Sequence, residues 1–245
     1  MVSIQATRGI TAPDAEADKK QRINLDRVQN NYVGIDLDDK GCPMRVGIFG
    51  GTFDPIHCGH LVLAEQCREQ CRLDEVWFVP AGQPPHKAGV TITEAKFRRE
   101  MIEFAISGNS SFRLNSLELN RAGPSFTVMT LEQLHAEYAN HELFLMIGAD
   151  SLLDFPHWRD PQRILELATV IALNRGDQPL PNREEIRNLC GGLADSRIIS
   201  ARMPGIDLSA TEIRNRCREG RSIRYLVPRA VEIYIDEHGL YRSSL

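Results

Sequence analysis

The sequence lacks a surplus of positive charge: 29 Lys and Arg stand against 33 Asp and Glu, a formal net charge of −4. A surface that neutralises duplex phosphates needs a basic excess, so nucleic acid is not an expected partner. No uninterrupted apolar run approaches the ~18 residues that cross a bilayer, and the N-terminus has neither the apolar stretch nor the small-residue cleavage site of a secretory signal. The expectation is a cytoplasmic protein with no membrane partner. Cysteine is sparse, six residues at 42, 58, 67, 71, 190 and 217 with no C-x-x-C pair. That pattern excludes a disulfide framework and offers no zinc or redox motif. Cys67 and Cys71 lie four apart in a helical pattern with Leu63, which reads as burial on one helix face. Internal repeats and low-complexity tracts are absent too. What remains is 245 residues, 42% hydrophobic and 25% charged, enough to bury the core of one globular domain or two small ones.

Residues 1–43 mix charges of both signs, carry few large apolar side chains and show no sustained period, so they are expected to form a poorly ordered extension. Met44 opens the first apolar run, Met44-Arg-Val-Gly-Ile-Phe49, and is a candidate translation start. From there to residue 245 a single domain is expected. Runs rich in Val, Ile, Leu and Phe predict strands at 44–49, 76–80, 112–118, 143–148, 169–174 and 197–200. Amphipathic stretches predict helices at 59–71, 94–107, 126–138, 161–167, 183–189, 210–219 and 229–238. Pro228 and Gly239 bracket the last helix with the usual asymmetry. This alternation predicts an α/β parallel sheet, whose ligands bind outside the carboxyl ends of the strands.

The segment Gly50-Gly51-Thr52-Phe53-Asp54-Pro55-Ile56-His57-Cys58-Gly59-His60 falls at such an end, between the first strand and its helix. It is neither a Walker loop nor a G-x-G-x-x-G turn. Paired glycines let backbone approach a ligand, and the amides of Thr52 and Phe53 can then point at phosphate oxygens beside a helix N-terminus. His57 and His60, three apart at a helix start, can face one point. Three readings of the pair stand: phosphate binding, metal ligation with Asp54 or Cys58 but no known ligand spacing, and plain packing of His60 on the stripe with Ala64, Cys67 and Cys71.

The string G-x-F-x-P-x-H-x-G-H resembles the signature of the HxGH nucleotidylyltransferases. With Pro84-Pro85-His86-Lys87, Gly148-Ala149-Asp150-Ser151-Leu152, Phe155-Pro156, Trp158 and Leu208-Ser209-Ala210-Thr211-Glu212-Ile213-Arg214, the chain resembles one branch of them over residues 44–242, the bacterial nicotinate-nucleotide adenylyltransferases. The resemblance implies a Rossmann-like open parallel sheet with helices on both faces. It also implies transfer of AMP from ATP to nicotinate mononucleotide, giving the dinucleotide and pyrophosphate. His57, His60, Lys87 and Arg214 would then be catalytic, while Gly50, Gly51, Thr52, Phe53, Asp150, Ser209 and Thr211 would bind ATP. Ser125, Thr127, Trp158 and Arg159 would bind nicotinate mononucleotide, with Trp158 stacking on the pyridine and Arg159 standing where the family often has tyrosine. Magnesium, the implied cofactor, is expected on substrate phosphates and water, with no metal cage of carboxylates in the chain.

Several of these residues have structural readings beside the functional ones. Lys87 is an ordinary solvated lysine on composition alone. Ser209 and Glu212 fit a capping box, Asp150 fits the cap of a helix starting at Ser151, and Ser125 and Thr127 fit caps of theirs. Trp158 fits core filling.

Overall fold

The computed structural model describes residues 42–84, 91–174, 183–190, 194–202 and 205–242. Six parallel strands form one sheet: β1 (Arg45–Gly51), β2 (Glu75–Pro80), β3 (Phe112–Leu114), β4 (Glu142–Gly148), β5 (Thr169–Leu173) and β6 (Ile198–Ala201), in the order β3-β2-β1-β4-β5-β6. The helices are α1 (Cys58–Cys71), α2 (Ala95–Ile106), α3 (Leu117–Asn120), α4 (Thr127–Glu137), α5 (Ala149–Asp154), α6 (Pro161–Leu167), α7 (Arg183–Cys190), α8 (Ala194–Arg197), α9 (Ala210–Arg218) and α10 (Arg229–Glu237). A 3-10 turn, Phe155–His157, follows α5. The order reverses between β1 and β4, the switch point where doubly wound sheets open a crevice for ligands.

The period of two sorts strand side chains into two apolar layers. Val76, Phe78, Phe144, Met146, Ile171 and Leu173 point to one face and pack with residues of α1, α2, α9 and α10. Val46, Ile48, Trp77, Val79, Leu143, Leu145, Ile147 and Val170 point to the other and pack with α4, α5 and α6. Each fully buried Leu, Ile or Phe in such a layer contributes about 1.5–3 kcal/mol. The last helix closes with a Schellman turn: Gly239 sits at φ 60, its amide donates to Asp236 and that of Leu240 to Ile235. This turn sends the chain back toward the sheet.

Three local expectations are corrected. The strand expected at 112–118 stops at Leu114, because the side-chain oxygen of Asn115 accepts the Leu117 amide at 3.0 Å and turns the chain into α3. Asp150 caps no helix: α5 starts at Ala149 with Gly148 as its N-cap, which leaves Asp150 in the first turn. Nor do Ser125 and Thr127 cap α4, whose N-cap is Phe126.

Candidate active site

At the carboxyl end of β1, Gly50 is exposed, and a Cβ placed on it would meet no atom within 4 Å. The backbone there is a bare ledge that another molecule can approach. Beyond it Phe53 takes a left-handed backbone, φ 49, while its ring is buried edge-on to Phe49 at 5.5 Å and tilted on Phe78 at 5.7 Å. An apolar anchor of this kind offsets the cost of an unfavourable φ. Phe53 can therefore offer a ligand only its backbone. The Asp54–Pro55 peptide that follows is cis.

His57 is the N-cap of α1, 6% exposed, and its ring stacks on His60 with centroids 3.6 Å apart and planes at 25°. The His57 amide donates to Nδ1 of His60 at 3.2 Å. With Nδ1 an acceptor, the proton of a neutral His60 sits on Nε2, which is then a donor. The other side of His60 meets Phe53 at 5.1 Å and Phe49 at 6.0 Å. The packing expected of His60 is thus met by Phe53 and Phe49, while its stack on His57 keeps the two rings together at the helix start. Gly59 has to be small: a Cβ would lie 3.0 Å from Nδ1 of His57 and 3.4 Å from Leu208. The same contact brings the start of α9 beside the start of α1, so two helix N-termini adjoin.

On α9, Ser209 is the N-cap, its hydroxyl accepting the Glu212 amide at 3.2 Å. Only half of the expected capping box forms, because the Glu212 carboxylate turns to Arg221 at 3.2 Å. Arg214 donates through Nη1 to the Asp54 carbonyl at 2.7 Å and through Nη2 to Thr211 at 3.3 Å. Arg214 and Thr211 are thereby brought to the glycine loop from across the sequence.

Across the switch point, Asp150 is exposed just beyond the end of β4. The Ser125 hydroxyl accepts the amides of Gly82 and Gln83 at 3.0 and 3.3 Å, which fastens the loop after β2 to the approach to α4. Thr127 is the first residue of α4, where helix amides lack internal acceptors. The Arg159 guanidinium lies over the Phe126 ring at 4.8 Å. Trp158 is half-buried, tilted on Phe155 at 5.5 Å, so core packing takes up part of its ring and leaves part accessible. Lys87 lies outside the described residues.

The sequence reading missed Arg98, Tyr241 and the anchoring role of Asp54. Arg98, 2% exposed, donates to the carbonyls of Thr93 (2.8 Å), Thr52 (2.9 Å) and Ala81 (2.8 Å). Burial lowers its pKa, while Asp54 and then Tyr241 oppose that shift. Asp54, 5% exposed, accepts the Tyr241 hydroxyl at 2.7 Å and the Thr93 amide at 3.2 Å. One signal was available, since Arg98 occupies the same helical stripe as Met101, Ile102 and Ile106, where a charge is out of place unless it is satisfied inside.

The sheet order defines a doubly wound α/β protein, and the model of the family described as cytidylyltransferase-like matches residues 48–216. The chain is 45% identical over 202 residues to a Thermomicrobium roseum protein named "Probable nicotinate-nucleotide adenylyltransferase", covering 81% of this chain and 92% of that one. A Thermus thermophilus protein of the same name is 45% identical over 199 residues, covering 81% of this chain and 100% of its own. Among solved structures, the Plasmodium falciparum nicotinic acid mononucleotide adenylyltransferase complexed with NaAD aligns with TM-score 0.67 at 20% identity, over 81% of this chain and 97% of that one, a likeness of fold. The chain belongs to the cytidylyltransferase-like family and, within it, to the nicotinate-nucleotide adenylyltransferases.

Proposed function

We propose that residues 44–245 form a catalytic unit, preceded by an extension, that joins ATP and nicotinate mononucleotide into nicotinate adenine dinucleotide and pyrophosphate. An oxygen of the mononucleotide 5′-phosphate attacks the α-phosphorus of ATP, the bond from that phosphorus to the bridging oxygen breaks, and pyrophosphate leaves. No group on the protein needs to become covalently attached. Two polyanions have to be brought together, so the task is positioning and fixed positive charge.

The observation that carries this reading is the stacked His57–His60 pair beside the bare Gly50 ledge, at the meeting of two helix N-termini. In this reading His57 and His60 donate to ATP phosphates, with the Thr52 and Phe53 amides beside them, and Lys87 reaches the reacting phosphates. Ser209, Thr211 and the N–H groups of Arg214 not engaged with Asp54 serve the triphosphate tail. Asp150 takes the ribose diol. Trp158 supplies a wall for the pyridine, and the first-turn amides of α4 by Ser125 and Thr127 receive the nicotinate carboxylate. Arg159, held on Phe126 at that same helix start, adds a cation for it.

Magnesium, in this proposal, rides on phosphate oxygens and water. Among the described residues no group of three or more His, Cys, Asp or Glu is placed to hold an ion. No helix among the described residues is long and apolar enough to cross a membrane. A cytoplasmic setting suits substrates of this kind.

The test is pyrophosphate release by the purified full chain with ATP and either nicotinate or nicotinamide mononucleotide. Preference for the nicotinate form is expected. Equal or inverted preference overturns the substrate assignment, and no release with either overturns the enzyme.

A further inference from the structure

Asp54 is gripped by three parts of the chain that are far apart in sequence. The Tyr241 hydroxyl, 187 residues on, donates to Oδ1, and the Thr93 amide donates to Oδ2. Arg214, 160 residues on, donates to its carbonyl. Three residues later comes His57, and two residues earlier comes Thr52, whose carbonyl is held by Arg98. Arg98 also holds Ala81, at the end of β2, and Thr93. A buried carboxylate and a buried guanidinium thus anchor the loop between β1 and α1, and Tyr241 is the donor farthest along the chain in that set.

We infer that Tyr241 is a positioning residue of the active site, acting through Asp54 to hold the glycine-loop amides and the His57–His60 pair where the reacting phosphates need them. The inference rests on the function proposed above. Without the Tyr241 hydroxyl, Asp54 keeps a carboxylate 5% exposed with one donor fewer, and the loop is free to shift toward other partners. Donors aimed at charge that develops in the transition state are the most sensitive to such shifts, so the loss should fall on kcat more than on KM.

The comparison that separates positioning from stability is Tyr241→Phe against Tyr234→Phe. Tyr234, on α10, donates its hydroxyl to Glu100 of α2, and its ring meets Phe97, Phe104 and His238. Each variant loses one tyrosine hydroxyl bonded to a carboxylate. Tyr241→Phe is expected to lower kcat about tenfold with KM for ATP changed less than threefold, and to speed amide hydrogen exchange across residues 52–60. Tyr234→Phe is expected to do neither, at a similar melting temperature. Equal kcat in the two variants, or unfolding of Tyr241→Phe where Tyr234→Phe stays folded, overturns the inference. If wild type makes no dinucleotide, the proposed function falls, and the exchange comparison, which needs no substrate, still decides whether Tyr241 holds the loop.

Discussion

His60 serves two neighbourhoods with one ring. Its edge contacts with Phe49 and Phe53 belong to the core, while its Nδ1 takes the His57 amide and its ring stacks on His57. Aromatic contacts of this type contribute about 0.5–1.5 kcal/mol each, less than the stability of a domain this size. His60→Ala is therefore expected to unfold cooperatively at a lowered temperature yet to lose at least about tenfold in turnover, on the order of 1.4 kcal/mol of barrier. Thermal melts and steady-state pyrophosphate release check both halves. Full activity removes His60 from the site, and a chain that no longer folds assigns it to the core alone. The histidine pair was legible from spacing because a helix start brings residues three apart together. Arg98 left only its place on an apolar helical stripe as a signal, and Tyr241 left none, because its partner is a carboxylate supplied by a distant segment and no local period records such a bond.

At the scale of elements, the start of α9 shows how a cap and an anion site share one place. The Ser209 hydroxyl takes the Glu212 amide, while the Glu212 carboxylate belongs to an exposed pair with Arg221. Ser209→Ala should cost about 1 kcal/mol of cap energy, or about 2–4 °C in melting temperature for a chain of this length. Glu212→Ala should cost less, since exposed ion pairs contribute about 0–1 kcal/mol. Calorimetry of the two variants ranks them, and the reverse order would restore the full capping box. Element types were read from hydrophobic period with good agreement, because the central strands β1, β2, β4 and β5 are buried on both faces and flanked by amphipathic helices. The ends were harder. Asn115 stops β3 with a side-chain bond that alternation does not reveal, and Gly148 caps α5 with backbone geometry alone.

For the whole molecule, the bond from Tyr241 to Asp54 joins the last turn of the described chain to the first loop. Burial first, and then the Asp54 carboxylate, raise the Tyr241 pKa above its ordinary value. Folding therefore favours the protonated phenol. Its stabilisation is complete below the unfolded tyrosine value of about 10 and is lost as pH climbs from there toward the raised folded value. Urea midpoints of wild type and Tyr241→Phe are expected to differ most near neutrality and to converge above about pH 10. A gap that widens with alkali would contradict the sign. Some alkaline loss should persist in the variant, because Tyr234 is raised in the same direction by burial and then by Glu100.

In the proposed reading, the two apolar layers of the sheet also divide the labour of recognition. α1 and α9, which flank the proposed triphosphate seat, rest on one layer, whereas α4 and the turn bearing Trp158, which flank the proposed pyridine seat, rest on the other. With the strands as a stiff partition, softening one side should blunt the proposed grip on the triphosphate or on the pyridine and leave the other's footing intact, so the two are separately adjustable traits of a single scaffold.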